Sequence, residues 1–304
     1  MANITAAMVK ELREMTGAGM MDCKNVLVEA GGDMDKAVEL LREKGLAKAA
    51  KKAGRVAAEG LVKLAFSDDA KKAAVIEVNS ETDFVAKNEE FVEFVEKLAE
   101  MAIDAEQDMD KFMTLDYAGE GTVQDVLNSK IAKIGENMNI RRFANFAQPG
   151  CVYVGYVHGA GKIGVIVGLE TEASVSEVET IGKDVAMQVA SMSPKFVDET
   201  EVDPAWLEEE KKIATQQLLN EGKPEKMLER IIPGKIKAIL KEVCLVDQKF
   251  VKNGDLTVKQ YVDEAAKEIG KSIRIASMAR FEVGEGIEKK EENFAEEVAK
   301  QMGN

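Results

Sequence analysis

Along residues 1–55 the apolar positions recur at helical spacing and are punctuated by glycine. Met8, Val9, Leu12 and Met15 share one face of a stretch that Thr5 can cap and that "GAG" then breaks. Asp22 is placed to cap "CKNVLVEA", which ends at Gly31 and Gly32, and Asp33 to cap a third helix carrying Val38, Leu40 and Leu41. The pattern predicts a three-helix bundle of about 50 residues, small enough to be only marginally stable alone.

The period then changes. "GLVKLAFSDDAKKAAVIEVN" (60–79) and "GCVYVGYVHGAGKIGVIVGL" (150–169) align without gaps at an offset of 90, sharing Gly60/Gly150, Val62/Val152, Val75/Val165 and Ile76/Ile166. Each reads as a strand, a polar turn and a second strand. "IGENMNIRRF" (134–143) and "IGKSIRIASM" (269–278) align at an offset of 135, each with the alternation of a third strand. Two related halves therefore share a plan of hairpin, helices and strand, the second being longer by 45 residues. The insertion falls at 203–247, where two charged helical stretches broken at Gly222 and Pro224 predict an antiparallel helical hairpin. Its Trp206, Leu218, Leu219, Met227, Leu228 and Ile231 must bury against each other or, if the pair projects as an arm, against a second copy. Beyond the last strand, "RFEVGEGIEKKEENFAEEVAKQ" predicts a terminal helix that docks Phe294 and Val298. The expected fold class is α+β, divided into residues 1–55, 56–148, 149–202 with 248–280, the insertion 203–247, and 281–304.

Composition narrows the function. With 304 residues, 45% hydrophobic and 32% charged, the chain reads as soluble, globular and longer than one domain. No apolar run approaches the roughly 20 residues that cross a bilayer, and the first residues are mixed-charge and amphipathic, unlike a presequence. Cys23, Cys151 and Cys244 lack the spacing of a disulfide framework or a zinc site. A reducing cytoplasm is the expected location. The net charge of −14 argues against a binder of phosphate backbones. "KGLAKAAKKAGR" is the local exception, with Lys44, Lys48, Lys51, Lys52 and Arg55 and no acid. Two readings stand for it, a solvated helix face or a contact to an acidic protein or RNA.

The chemistry of an enzyme is not evident. "HGAGKIG" spaces Gly159, Gly161 and Gly164 as G-x-G-x-x-G, but the following "VIVGL" is strand-like, whereas a pyrophosphate site needs a helix N-terminus there. It reads as a hairpin turn with His158 at its tip, and no nucleophile pairs with that histidine in sequence. Met20 and Met21 in the first inter-helix loop either fill the small core or form an adaptable contact surface. The polar connection within "EVNSETDFVAKNEEF" (77–91) is less ordinary, because it sets Phe84 beside Asp83 in what the pattern makes a loop.

That string, with "LREMTGAGMMDCKNVL" (12–27), resembles the two signatures of the bacterial elongation factor Ts family, in order and in place, and the likeness runs over essentially the whole chain. The resemblance implies a three-helix, UBA-like N-terminal domain, a core of two related antiparallel-sheet α+β subdomains, an inserted antiparallel helical hairpin used in dimerisation, and a C-terminal helical module. It implies a non-enzymatic guanine nucleotide exchange factor for elongation factor Tu, which promotes GDP release by disturbing the partner's magnesium and phosphate site. Thr82, Asp83, Phe84 and Val85 would intrude beside that magnesium. Arg13, Met20, Met21 and Lys24 would reach the GTPase domain, His158 would contact the partner elsewhere, and Lys52 is a further partner-binding candidate. The family binds no nucleotide, cofactor or metal of its own and needs neither nucleic acid nor membrane. A homodimer, or a two-plus-two complex, through the hairpin is also implied. Asn25 departs from the family pattern, where many relatives carry a basic residue, and residues 105–121 carry no specific motif. A competing reading is a module that holds elongation factor Tu without accelerating release; the intact 82–85 segment separates the two.

Overall fold

The computed structural model describes residues 4–16 and 18–288. The chain is of mixed α+β class, its sheets antiparallel. Three helices come first, α1 (Ala6–Thr16), α2 (Met20–Glu29) and α3 (Met34–Lys52), closing on Leu12, Cys23, Val26, Leu27 and Ala37. The Thr5 and Asp33 side chains accept from the Met8 and Lys36 amides, as the pattern predicts. Asp22 is not a cap: α2 begins at Met20 after Gly19, so Asp22 lies inside the first turn. Met15, which the spacing puts on the same apolar face as Leu12, is 62% exposed. The carboxyl half of α3 leaves the bundle and packs along a later helix, Val123–Ile134, with Ala49 in the core of the first sheet.

The first sheet orders β1 (Glu59–Phe66), β2 (Ala73–Ser80) and β3 (Met138–Phe146), with β2 central. Between β2 and β3 run α4 (Asp83–Ala86), α5 (Glu89–Ala102), α6 (Met109–Met113) and α7 (Val123–Ile134). The second sheet orders β4 (Cys151–His158), β5 (Ile163–Thr171) and β8 (Ile273–Glu282), with α8 (Val175–Met192) after β5. An arm of α9 (Pro204–Asn220) and α10 (Glu225–Val243) turns at Gly222 and Pro224, as read from the sequence. A small hairpin, β6 (Lys249–Phe250) and β7 (Asn253–Thr257), then leads into α11 (Val258–Ile269). The sequence reading did not anticipate that hairpin, whose turn is Val251-Lys252 and whose Asn253-Gly254 pair lies within β7. The expected docking of Phe294 and Val298 lies outside the described residues.

The alternation of the strands builds four layers. Ile76 and Val78 face α5 and α7, Val75 and Val62 face Tyr153 and Ile166 of the other sheet, and Val165, Val167 and Leu169 face α8 and α11. Both central strands are thus covered on two sides, which is why β2 and β5 read as nearly continuous apolar runs. The duplication is present, but the hairpins superpose at an offset of 91, one residue from the ungapped alignment: Val62 pairs with Glu77 where Tyr153 pairs with Gly168. A one-residue slip exchanges faces, so the identical pairs Val75/Val165 and Ile76/Ile166 point to opposite sides of their sheets. The third strands keep the offset of 135, and the same bulge precedes both sheet ends, at Glu77/Val78 and Gly168/Leu169.

Close approach of the sheets depends on Gly164, where an added Cβ would lie 2.4 Å from the Val62 Cγ1. Val62 is fully buried and has little room to yield. Gly164→Ala is expected to lower stability by about 1–3 kcal/mol through overpacking, read as a drop in the denaturant midpoint at unchanged slope.

Candidate functional site

The quoted stretch divides into a buried half and a presented half. Glu77 and Asn79 lie in β2 and are essentially inaccessible to solvent. Glu77 accepts from Arg142 Nε at 2.6 Å, Arg141 Nη1 at 3.0 Å, Asn79 Nδ2 at 3.1 Å and the Gly284 amide at 2.8 Å. Burial pushes its carboxyl upward, but the Gly284 amide, the two guanidinium groups and Asn79 outweigh that and hold it below the usual carboxylate range. One carboxylate in the first sheet thereby grips the turn that follows β8 of the second.

Past Ser80 the chain does not form the loop that the sequence pattern suggested. Thr82 caps the single helical turn α4, its hydroxyl accepting from the Val85 amide at 3.4 Å. Asn88 then caps α5 afresh. In the second copy a single unbroken helix, α8, starts at the corresponding point after Ser174, so the extra turn belongs to the first copy. On α4, Val85 and Ala86 turn into the core of the first sheet, while Phe84 is 80% exposed. Thus an aromatic ring sits beside a carboxylate because one short helix has both an anchored side and a presented side.

Asp83 is paired with Lys87 at 2.6 Å. The Lys87 ammonium holds the Asp83 carboxyl below its ordinary range; slight burial and the Glu59 carboxylate oppose this, and Lys162 adds to it. Lys162 belongs to the turn between β4 and β5 and is itself bound to Glu59 at 2.5 Å, so that turn approaches the foot of α4. The turn carries the G-x-G-x-x-G spacing and is a hairpin tip, with Gly161 at φ 94° and its carbonyl accepting from the Val62 amide at 2.8 Å.

His158 ends β4, exposed, with its Nδ1 2.9 Å from the Tyr156 hydroxyl. Arg13 and Lys24 are exposed on α1 and α2. Met20 and Met21, 58% and 64% exposed, do not fill the bundle core, and they share the bundle surface with exposed Met15 and Val28. Lys52 is half-buried and donates to the Gly135 carbonyl at 2.5 Å, completing the C-terminal turn of α7. Three more members of the basic run are also engaged within the chain, Lys44 with Glu29, Lys48 with Asp22 at 2.8 Å and Arg55 with Glu81 at 3.5 Å, while Lys51 is exposed. Sequence reasoning missed Glu136, which binds both the amide and the hydroxyl of Thr82 at 3.0 and 2.7 Å. Its only sequence signal is its place in "IGEN", just ahead of the third strand.

Arg13, Met20, Met21, Lys24, Phe84 and His158 therefore lie exposed on turns and helix faces, open to contact with another macromolecule, whereas Val85 is buried in the core of the first sheet and Lys52 is held within the chain. A family model described as Elongation factor TS matches residues 81–285. An Elongation factor Ts of Clostridioides difficile (strain 630) is 58% identical over 303 residues, 99% of this chain and 100% of that protein. Those of Clostridium novyi (strain NT) and Clostridium perfringens (strain SM101 / Type A) are 55% and 54% identical over 302 and 301 residues, 98% and 99% of this chain and 99% of each relative. The chain belongs to the elongation factor Ts family, translation elongation factors of protein biosynthesis. Among the described residues no helix is long and apolar enough to cross a membrane.

Proposed function

We propose that the chain is the guanine nucleotide exchange factor of elongation factor Tu in the bacterial cytoplasm. It binds the GDP-bound GTPase and loosens GDP by displacing the partner's magnesium and phosphate site, making and breaking no covalent bond. The observation that carries this reading is Phe84, 80% exposed on a turn whose other side is anchored in the core. Its ring gains roughly 1.5–3 kcal/mol on burial, and that gain is realised only against a partner conformation that opens to admit it. Asp83 acts beside it, exchanging Lys87 for polar groups of the partner. Arg13, Met20, Met21 and Lys24 supply contacts from the bundle, and His158 a contact from the second sheet. Lys52 serves the internal scaffold in the free chain.

The division of the chain into bundle, two core halves, arm and C-terminal module is part of the same proposal. So is the arm as a self-association element, for which exposed Ile213, Leu219 and Met227 provide apolar surface.

Exchange requires reciprocity: if the chain weakens GDP binding, GDP weakens the chain's binding by the same factor. Titration of elongation factor Tu with this protein is expected to show an affinity at least tenfold lower with saturating GDP than without nucleotide. Equal affinities in the two titrations would identify a holding module.

A further inference from the structure

We propose that Glu136 is a positioning residue for exchange: through Thr82 it fixes the direction in which Phe84 is presented, and its neighbours tie that direction to the end of α3. The proposal rests on the exchange reading above. A single helical turn has too few internal hydrogen bonds to hold its own orientation. Here Val85 and Ala86 anchor one side of α4, whereas Phe84 makes no comparable burial that could orient it. The remaining constraint acts at the cap. Thr82 donates its amide and its hydroxyl to the two oxygens of one carboxylate, at 3.0 and 2.7 Å, while the same hydroxyl accepts from Val85 and its carbonyl accepts from the Ser80 hydroxyl at 3.0 Å. Rotation of the turn would break both bonds to Glu136 together.

The residues on either side of Glu136 face the bundle. The Gly135 carbonyl accepts from Lys52, the last residue of α3. Asn137 donates its amide to Glu81 at 2.5 Å and its side-chain nitrogen to the Arg55 carbonyl at 2.7 Å. Three consecutive residues thus join the end of the N-terminal helices to the base of the exchange turn. Docking of the bundle and seating of Phe84 are coupled through this junction, so a partner that engages Met20 and Met21 meets a ring already aimed.

The test is a double-mutant cycle with a partner-free readout. In Glu136→Ala, amide hydrogen exchange at Val85 and Ala86 is expected to rise about tenfold, the order expected for hydrogen bonds to a charged group, while the unfolding midpoint stays within a few degrees. GDP release from elongation factor Tu at saturating Glu136→Ala is expected to be about tenfold slower than with the wild type. Glu136→Gln keeps one acceptor and gives the Thr82 hydroxyl a donor, and should retain most of the rate even if the alanine variant folds poorly. In a Phe84→Ala background, Glu136→Ala should change the release rate no further, because there is no ring left to aim. Wild-type release by Glu136→Ala, or the same fractional loss in both backgrounds, would overturn the proposal. Failure of the exchange reading shows separately, as a wild-type protein that leaves GDP release unchanged while the hydrogen-exchange arm still reports on α4.

Discussion

Glu77→Ala is expected to cost about 3 kcal/mol of folding stability, among the largest losses from any single truncation outside the apolar core. Removing the carboxylate takes away the acceptor shared by Arg141, Arg142, Asn79 and the Gly284 amide, although Asn79 keeps the Glu59 carbonyl and the arginines keep Glu282 and Glu285. Breaking a buried ion pair from one side typically costs 3–5 kcal/mol, and the lower figure applies because both arginines keep partial contact with water. The loss should appear in chemical denaturation as a lower midpoint. Glu77 also contributes to the acid limb of stability. Its folded carboxyl titrates below the unfolded one, so the folded state binds fewer protons, and the stabilisation is complete above the ordinary glutamate range near 4.5. It is lost as pH falls through the depressed folded value. Glu77→Gln is expected to flatten stability against pH below about 4.5 and to leave the slope near neutrality unchanged.

The second large effect is on exchange. Phe84→Ala is expected to slow partner GDP release at saturating protein by about ten- to a hundredfold, the equivalent of roughly 1.5–3 kcal/mol of ring burial. Stability should scarcely change, since the ring is 80% exposed and the core side of α4 is formed by Val85 and Ala86. Asp83→Ala removes the exposed pair with Lys87, and any rate loss it causes then reports on contacts to the partner.

Local features were legible where one residue type decides the local conformation. Thr5 and Asp33 cap helices, Gly222 and Pro224 turn the arm, and the paired apolar runs form hairpins. Asp22 misled because a capping residue is equally acceptable in the first turn of a helix, and Gly19 supplies the break without a side-chain cap. The duplication was visible but its register was not: apolar residues occupy both faces of β2 and β5, so identity alone could not say which valine faced the other sheet. At the site, the exposed turn residues could be named, but the scaffold could not. Glu136 stands 54 positions from Thr82, and nothing in either local pattern reports a contact made by the return of β3 to β2. Met15 fits the helical stripe of α1 as well as Leu12 does, and only packing separates the exposed methionine from the buried leucine. The basic run left a solvated face and a partner contact both open, and the pattern could not report that Lys44 and Lys48 meet acids of the same chain.

The central claim is that a ring presented on α4 drives nucleotide release. Its most direct test is stopped-flow dissociation of a fluorescent GDP analogue from elongation factor Tu, at saturating wild-type protein and at saturating Phe84→Ala. The account predicts marked acceleration by the wild type and a ten- to hundredfold weaker one by the variant, with both forming the complex. Equal acceleration by the two proteins, or none by the wild type despite binding, would contradict it.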